Sequence, residues 1–185
     1  MIKLTKDEIY QAKLIALEIC RSNSKYDFLS SFGGIMAEIA AIKFFNHELG
    51  CTPPLQLNTE YINGCDGGYD FCFPDLVCKW DVKSSNKGYF EREHLRTKAN
   101  FIIAVNRKEK GWFEIIGFIS TSKIPNTEKI DFNCFTPFII PRWLNNFPNR
   151  LKGRKDFIET RNFNAISDII PKVLGDVEIN TIMKK

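Results

Sequence analysis

Apolar and polar positions alternate along the chain in two distinct rhythms. From Lys6 to Arg21, Ile9, Leu14, Ala16, Leu17 and Cys20 recur at helical spacing. Thr5 stands at the N-cap position, with Glu8 three residues on, and predicts a capping box. "SNSKYDFLSSFGG" reads as a connector, and a second helix is predicted from about Gly33 to Leu49, closed by Gly50. The rhythm then shortens. "GGYDFCFPDLVCKWDVKSS", Gly67 to Ser85, predicts two short strands around a turn. "FIIAVN" and "WFEIIGFIS" predict two more, joined by the turn-like "RKEKG", and "FTPFIIP" a last one. Between the hairpin and "FIIAVN", the polar stretch "NKGYFEREHLRTKAN" predicts a partly helical segment, and "RWLNNF" and "NAISDIIPKVL" predict short helices near the end.

Helices come first, strands cluster centrally and helices return, so the predicted class is α/β, mixed α+β, with a central mixed sheet flanked by helices. At 185 residues the chain is expected to be one domain. An N-terminal helix (about 5–21) and a helical C-terminal extension (about 142–185) belong to it. The apolar runs are short of a membrane span, and the N-terminus lacks the apolar segment of a secretory signal. An intracellular, cytoplasmic or nucleoid or nuclear location, with no membrane partner, is therefore the expectation.

Six cysteines, none in a C-x-x-C pair, and only two histidines leave zinc without a recognisable spacing. Reduced, structural cysteines are expected. A net charge of +4 suits an anionic partner without requiring one.

The predicted hairpin carries the candidate chemistry. Side chains alternate across a strand, so Asp81 and Lys83 share a face that Trp80 and Val82 do not. Opposed residues in an antiparallel hairpin have a constant index sum, and a loop with an even residue count makes that sum odd. Asp70 then joins Asp81 and Lys83 on one face. Two converging carboxylates repel. A divalent cation relieves the conflict, because Mg²⁺ takes oxygen ligands from one or two carboxylates together with phosphate and water. Lys83 adds a compact charge able to hold a water or a phosphate oxygen. Carboxylates, metal and lysine together suit phosphodiester cleavage.

"GYDF…WDVKSS" resembles the PD-(D/E)XK nuclease superfamily, the restriction-endonuclease-like fold, with an aspartate on one strand of a hairpin and (D/E)-x-K on the next. Asp70 matches the first position, and Asp81 with Lys83 the second. The literal Pro74-Asp75 lies at the predicted turn, too near Asp81 to face it, and Asp66 in "NGCDGG" reads as loop; both are weaker matches than Asp70. The family pattern adds a glutamate on the preceding helix, where "GGIMAEIAAIKFF" offers Glu38. The resemblance covers roughly Gly33 to Ser120.

The resemblance implies an Mg²⁺-dependent endonuclease hydrolysing DNA by in-line attack of a metal-activated water, with Mn²⁺ able to substitute. It implies metal ligation by Asp70, Asp81 and the Val82 carbonyl, positioning of the water by Lys83, and a second metal or a bound water at Glu38. Ser84, Ser85, Lys87, Arg92 and Arg96 follow as candidate DNA contacts, with "RLKGRKDF", Arg150 to Phe157, as a second basic patch. Double-stranded or branched DNA is the expected partner, with a homodimer if both strands are cut. Two alternatives stand beside this reading: a non-catalytic nucleic-acid or protein-binding module on the same fold, and an RNA-directed nuclease.

Overall fold

In the computed structural model, the structure describes residues 1–48, 69–72 and 79–138. The predicted hairpin turn with Pro74 and Asp75, the segment holding Cys51, Cys65 and Asp66, the basic patch at 150–157 and the C-terminal helices lie outside the described residues.

A short strand β1 (Ile2–Lys3) leads into helix α1 (Lys6–Ser22). The predicted capping box closes its start: Glu8 N donates to Thr5 Oγ1 at 3.2 Å and Thr5 N to Glu8 Oε2 at 2.6 Å. Helix α2 (Phe28–His47) begins five residues before the predicted start. Asp27 is the reason, since its carboxylate accepts the N–H groups of Leu29 and Ser30 and so fixes the first turn inside the apparent connector.

Helix α2 is apolar nearly all round, with a mean hydropathy of 1.4, and by length and composition alone it is long enough to cross a membrane. Ser30, Ser31, Glu38, Lys43 and Asn46 interrupt its apolar residues. The packing accounts for the composition, since a helix covered on several sides needs several apolar faces. Ile35 meets Ala12 and Ile19 of α1, whereas Ala37, Ala40, Ala41, Phe44 and Phe45 lie against the sheet.

The remaining strands are β2 (Phe71–Cys72), β3 (Lys79–Ser85), β4 (Tyr89–Glu91), β5 (Phe101–Arg107), β6 (Trp112–Ser120) and β7 (Lys129–Asp131). Five of them form one sheet in the order β1-β6-β5-β3-β2, and β4 pairs with β7 in a separate two-stranded sheet. The pairing of β3 with β5 is parallel and the other pairings are antiparallel, so the sheet is mixed. The class is α/β with a mixed central sheet, as the order of elements predicts.

The segment 86–100 departs from its predicted helical content. It holds strand β4 and one short 3-10 turn, Arg92–Leu95. Phe90 is the cause: it pairs with Ile130 and packs with Leu95 and Phe135 against Ile102, Ala104 and Ile119. Strand β5 is therefore buried on both faces, from Phe101 through Val105. Its other face meets α2 through Ile103 and Val105, beside Trp80, which stacks on Phe101 at 4.6 Å. Each large side chain buried this way contributes about 1.5–3 kcal/mol. At Gly117 in β6 a Cβ would lie 2.2 Å from the Thr136 carbonyl oxygen, so only glycine admits the chain that bridges Phe118 there. Cys20 is half-buried and Cys134 exposed, both as free thiols.

Candidate active site

The β2–β3 ladder sets Phe71 opposite Trp80 and Cys72 opposite Lys79, an odd index sum. Asp70 therefore arrives beside Asp81. At Asp70 the main-chain ladder passes into a side-chain bond. Asp70 N donates to the Trp80 carbonyl at 2.8 Å, while its Oδ2 accepts the Val82 N–H at 2.5 Å. The carboxylate thus satisfies an edge donor that no further β2 residue pairs, and it is held across the backbone of Asp81.

Asp81 and Lys83 lie on the face shared with Ile102 and Ala104 of β5. Lys83 Nζ sits 2.8 Å and 2.9 Å from the two carboxylate oxygens of Asp81. Asp70 and Asp81 are 5% and 4% exposed, whereas the Lys83 side chain keeps 31% of its surface open. The lysine is the member that meets solvent.

Helix α2 brings Glu38, half-buried, to the same place. Ser30, Gly34 and Glu38 stand four residues apart in turn, one stripe of the helix, and all three line a cavity of about 690 Å³ with Asp70, Asp81 and Lys83. Val82, Ser84, Ser85 and Lys87 line it too.

Three carboxylates (Glu38, Asp70, Asp81) surround the Lys83 ammonium, and the Arg107 side chain lines the same cavity. Burial, then the negative charges of Glu38 and Asp81, push the Asp70 carboxyl well above the usual carboxylate range, against the pull of the Val82 N–H and Lys83. Burial alone would depress Lys83. The charge and hydrogen bond of Asp81, with Asp70 and Glu38 behind them, outweigh burial and raise it. This donor set fits a divalent cation: hard oxygen ligands, and a carboxyl driven to hold a proton in the cation's place.

The other predicted contacts divide. The hydroxyl oxygen of Ser85, buried, accepts the Lys87 N–H at 3.1 Å, a turn-forming role, and Lys87 Nζ stands 3.6 Å from Glu91. Arg92 and Arg96 are outside the cavity. They line a separate groove of about 980 Å³ beside Thr121, Asn126 and Lys129, and Arg92 donates to Asn126 Oδ1. Glu91 borders both spaces. With Glu93 and His94 it forms a surface cluster whose ligand atoms lie within 4.8 Å, already paired through His94 Nε2 at 3.8 Å from each glutamate.

Sequence reasoning overlooks Arg107, Ser30 and Gly34 in the cavity wall. Arg107 leaves a trace in the sequence: it shares strand parity with Ile103 and Val105, so a charge falls where the core rhythm calls for an apolar residue. Comparison with protein-family models, curated proteins and solved structures returns no match to this chain.

Proposed function

We propose that the chain is a metal-dependent endonuclease hydrolysing DNA phosphodiester bonds, built on a core of the restriction-endonuclease-like kind. One observation carries the reading: Glu38, Asp70, Asp81 and Lys83, delivered by α2, the start of β2 and β3, line one open cavity. Asp70 and Asp81 would hold a divalent ion, Mg²⁺ or Mn²⁺, with the Val82 carbonyl and Glu38 nearby. Such an ion, when bound, supplies Lewis acidity toward a phosphoryl oxygen and lowers the pKa of water.

The chain's own residues do the rest. Lys83 is half-exposed and pinned by Asp81, so its ammonium points where a phosphate oxygen or an attacking water would sit. There it stabilises the charge that develops on the phosphorane-like oxygens. Asp70 is fixed by the Val82 N–H, and the Asp81 carboxylate beside it is held by Lys83. Ser84 and Lys87 border the entrance and suit backbone contacts.

The test is incubation of the purified protein with single-stranded, duplex, branched and circular DNA, and with matched RNA, in Mg²⁺ and in Mn²⁺. Metal-dependent cleavage of DNA, lost with EDTA and in Asp81→Ala, is the expected result. Cutting retained by Asp81→Ala would overturn it, and cutting confined to RNA would change the substrate.

A binding module on the same core draws on a different observation. The Lys83–Asp81 pair satisfies both groups without an ion. Calorimetry with Mn²⁺ separates the two: saturable heat that depends on Asp70 and Asp81 belongs to the nuclease, and its absence to the module.

A further inference from the structure

Arg107 closes β5 on the side that packs under α2, yet it lines the carboxylate cavity. Its guanidinium lies against the helix at Gly33. A Cβ at Gly33 would stand 2.2 Å from Nη1 and 3.4 Å from Cζ, so the absence of a side chain there makes room for the arginine. Glycine inside a helix costs about 0.5–1 kcal/mol relative to alanine. The neighbouring Gly34 has open space where its Cβ would be, so crowding is specific to Gly33.

The Arg107 Nε is buried without a hydrogen-bond partner, and none of the ion pairs among the described residues includes this side chain. A buried donor in this state is costly unless a ligand completes it. The planar fork of arginine matches phosphate oxygens in two parallel bonds. Glu38, Asp70 and Asp81 line the same cavity, and the ion they fit would serve the reacting phosphate, which leaves Arg107 for another.

We propose that Arg107 is a substrate-binding residue that grips a backbone phosphate flanking the scissile one, and that Gly33 is the seat that holds it there. This rests on the nuclease reading of the same cavity. Its ligand is a phosphodiester backbone, read without regard to base sequence.

The experiment is a salt titration of binding to a short fluorescent duplex and to its single strand, with Ca²⁺ replacing Mg²⁺ so that the probe stays intact. Wild type, Arg107→Gln, Arg107→Lys and Gly33→Ala are compared, with thermal melts and Mn²⁺ calorimetry on each. Arg107→Gln is expected to weaken binding about tenfold or more and to reduce the slope of log affinity against log salt by about one. Arg107→Lys keeps the slope and recovers part of the affinity. Gly33→Ala displaces the far end of a flexible side chain, so it reproduces the Arg107→Gln loss while melting no lower than wild type. The Mn²⁺ heat is unchanged in all three variants.

Wild-type affinity and slope in Arg107→Gln would overturn the assignment while leaving the nuclease reading intact. A wild-type protein that binds Mn²⁺ but neither probe would overturn it as well. A wild-type protein that binds neither the ion nor the probes would remove both readings together.

Discussion

The carboxylate of Asp70 accepts the backbone N–H of Val82 at 2.5 Å, replacing the main-chain partner that β2 is too short to supply. This one bond gives Asp70 two separable roles, an edge cap and a metal ligand, and two substitutions tell them apart. Asp70→Asn keeps an amide oxygen for Val82 and removes the negative charge. Asp70→Ala removes both and leaves a buried N–H unpaired, at a cost of about 1–3 kcal/mol. Both variants are expected to lose cleavage, whereas only Asp70→Ala melts below wild type in EDTA. Equal melting temperatures for the two would show that the bond to Val82 contributes nothing.

The Asp70 carboxyl, raised by burial and by the charges of Glu38 and Asp81, gives the metal-free protein an inverted pH response. Between the ordinary carboxylate range and its raised value, the native state holds a proton that the unfolded chain has released. Stability from this group therefore falls as pH climbs through that window, and the full penalty is present above it. Melting curves in EDTA across this range are expected to fall more steeply for wild type than for Asp70→Asn. A divalent cation reverses the penalty: at a hundredfold excess over its dissociation constant a ligand adds about 2.7 kcal/mol. Mn²⁺ should raise the wild-type melting temperature and leave Asp70→Asn nearly unmoved. A metal response of equal size in both would disconnect Asp70 from the ion.

What the sequence makes legible is what acts over a few residues. The Thr5–Glu8 capping box and the β5–β6 pairing of "FIIAVNR" with "WFEIIGFIS" follow from local spacing. Strand parity is equally local, and it places Asp81 with Lys83 and brings Asp70 beside them once the hairpin register is odd. Other features depend on distant partners. Strand β4 forms because Phe90 finds Ile130 far along the chain, a pairing absent from any local window, so the polar composition of 86–100 misleads. Arg92 and Arg96 follow the D-x-K strand closely in sequence, yet the turn after β4 sends them into the neighbouring groove. Arg107 reaches the cavity from a strand that composition assigns wholly to the core.

Lys83 holds both oxygens of Asp81 and is the cation nearest the carboxylates. Lys83→Ala is expected to lower kcat by about a hundred- to a thousandfold, the range found when one donor to a developing oxyanion is removed. KM should change less, since substrate affinity rests on several phosphate contacts. In EDTA the same variant melts below wild type, because two buried carboxylates lose their shared counter-charge. Mn²⁺ should restore most of that loss, which a packing defect alone would not permit. A kcat within a fewfold of wild type would remove Lys83 from the reaction.

Gly34 provides the test that leaves every charged group in place. It stands between Ser30 and Glu38 on the stripe of α2 that faces the cavity, and a Cβ there meets nothing within 4 Å. A leucine at this position starts from an uncrowded Cβ and projects into the cavity. Helix propensity also favours the change, since glycine lies about 0.8–1.0 kcal/mol below alanine and leucine ranks close behind alanine, so Gly34→Leu should melt at or above the wild-type temperature. Mn²⁺ binding should persist, because Asp70 and Asp81 lie on the strands rather than on the helix. If the cavity receives a nucleic acid, the new side chain occupies its path, and kcat/KM falls at least tenfold while the ion still binds. Full activity in a folded Gly34→Leu protein would mean that substrate enters elsewhere, and the cavity wall formed by α2 would lose its place in the reaction.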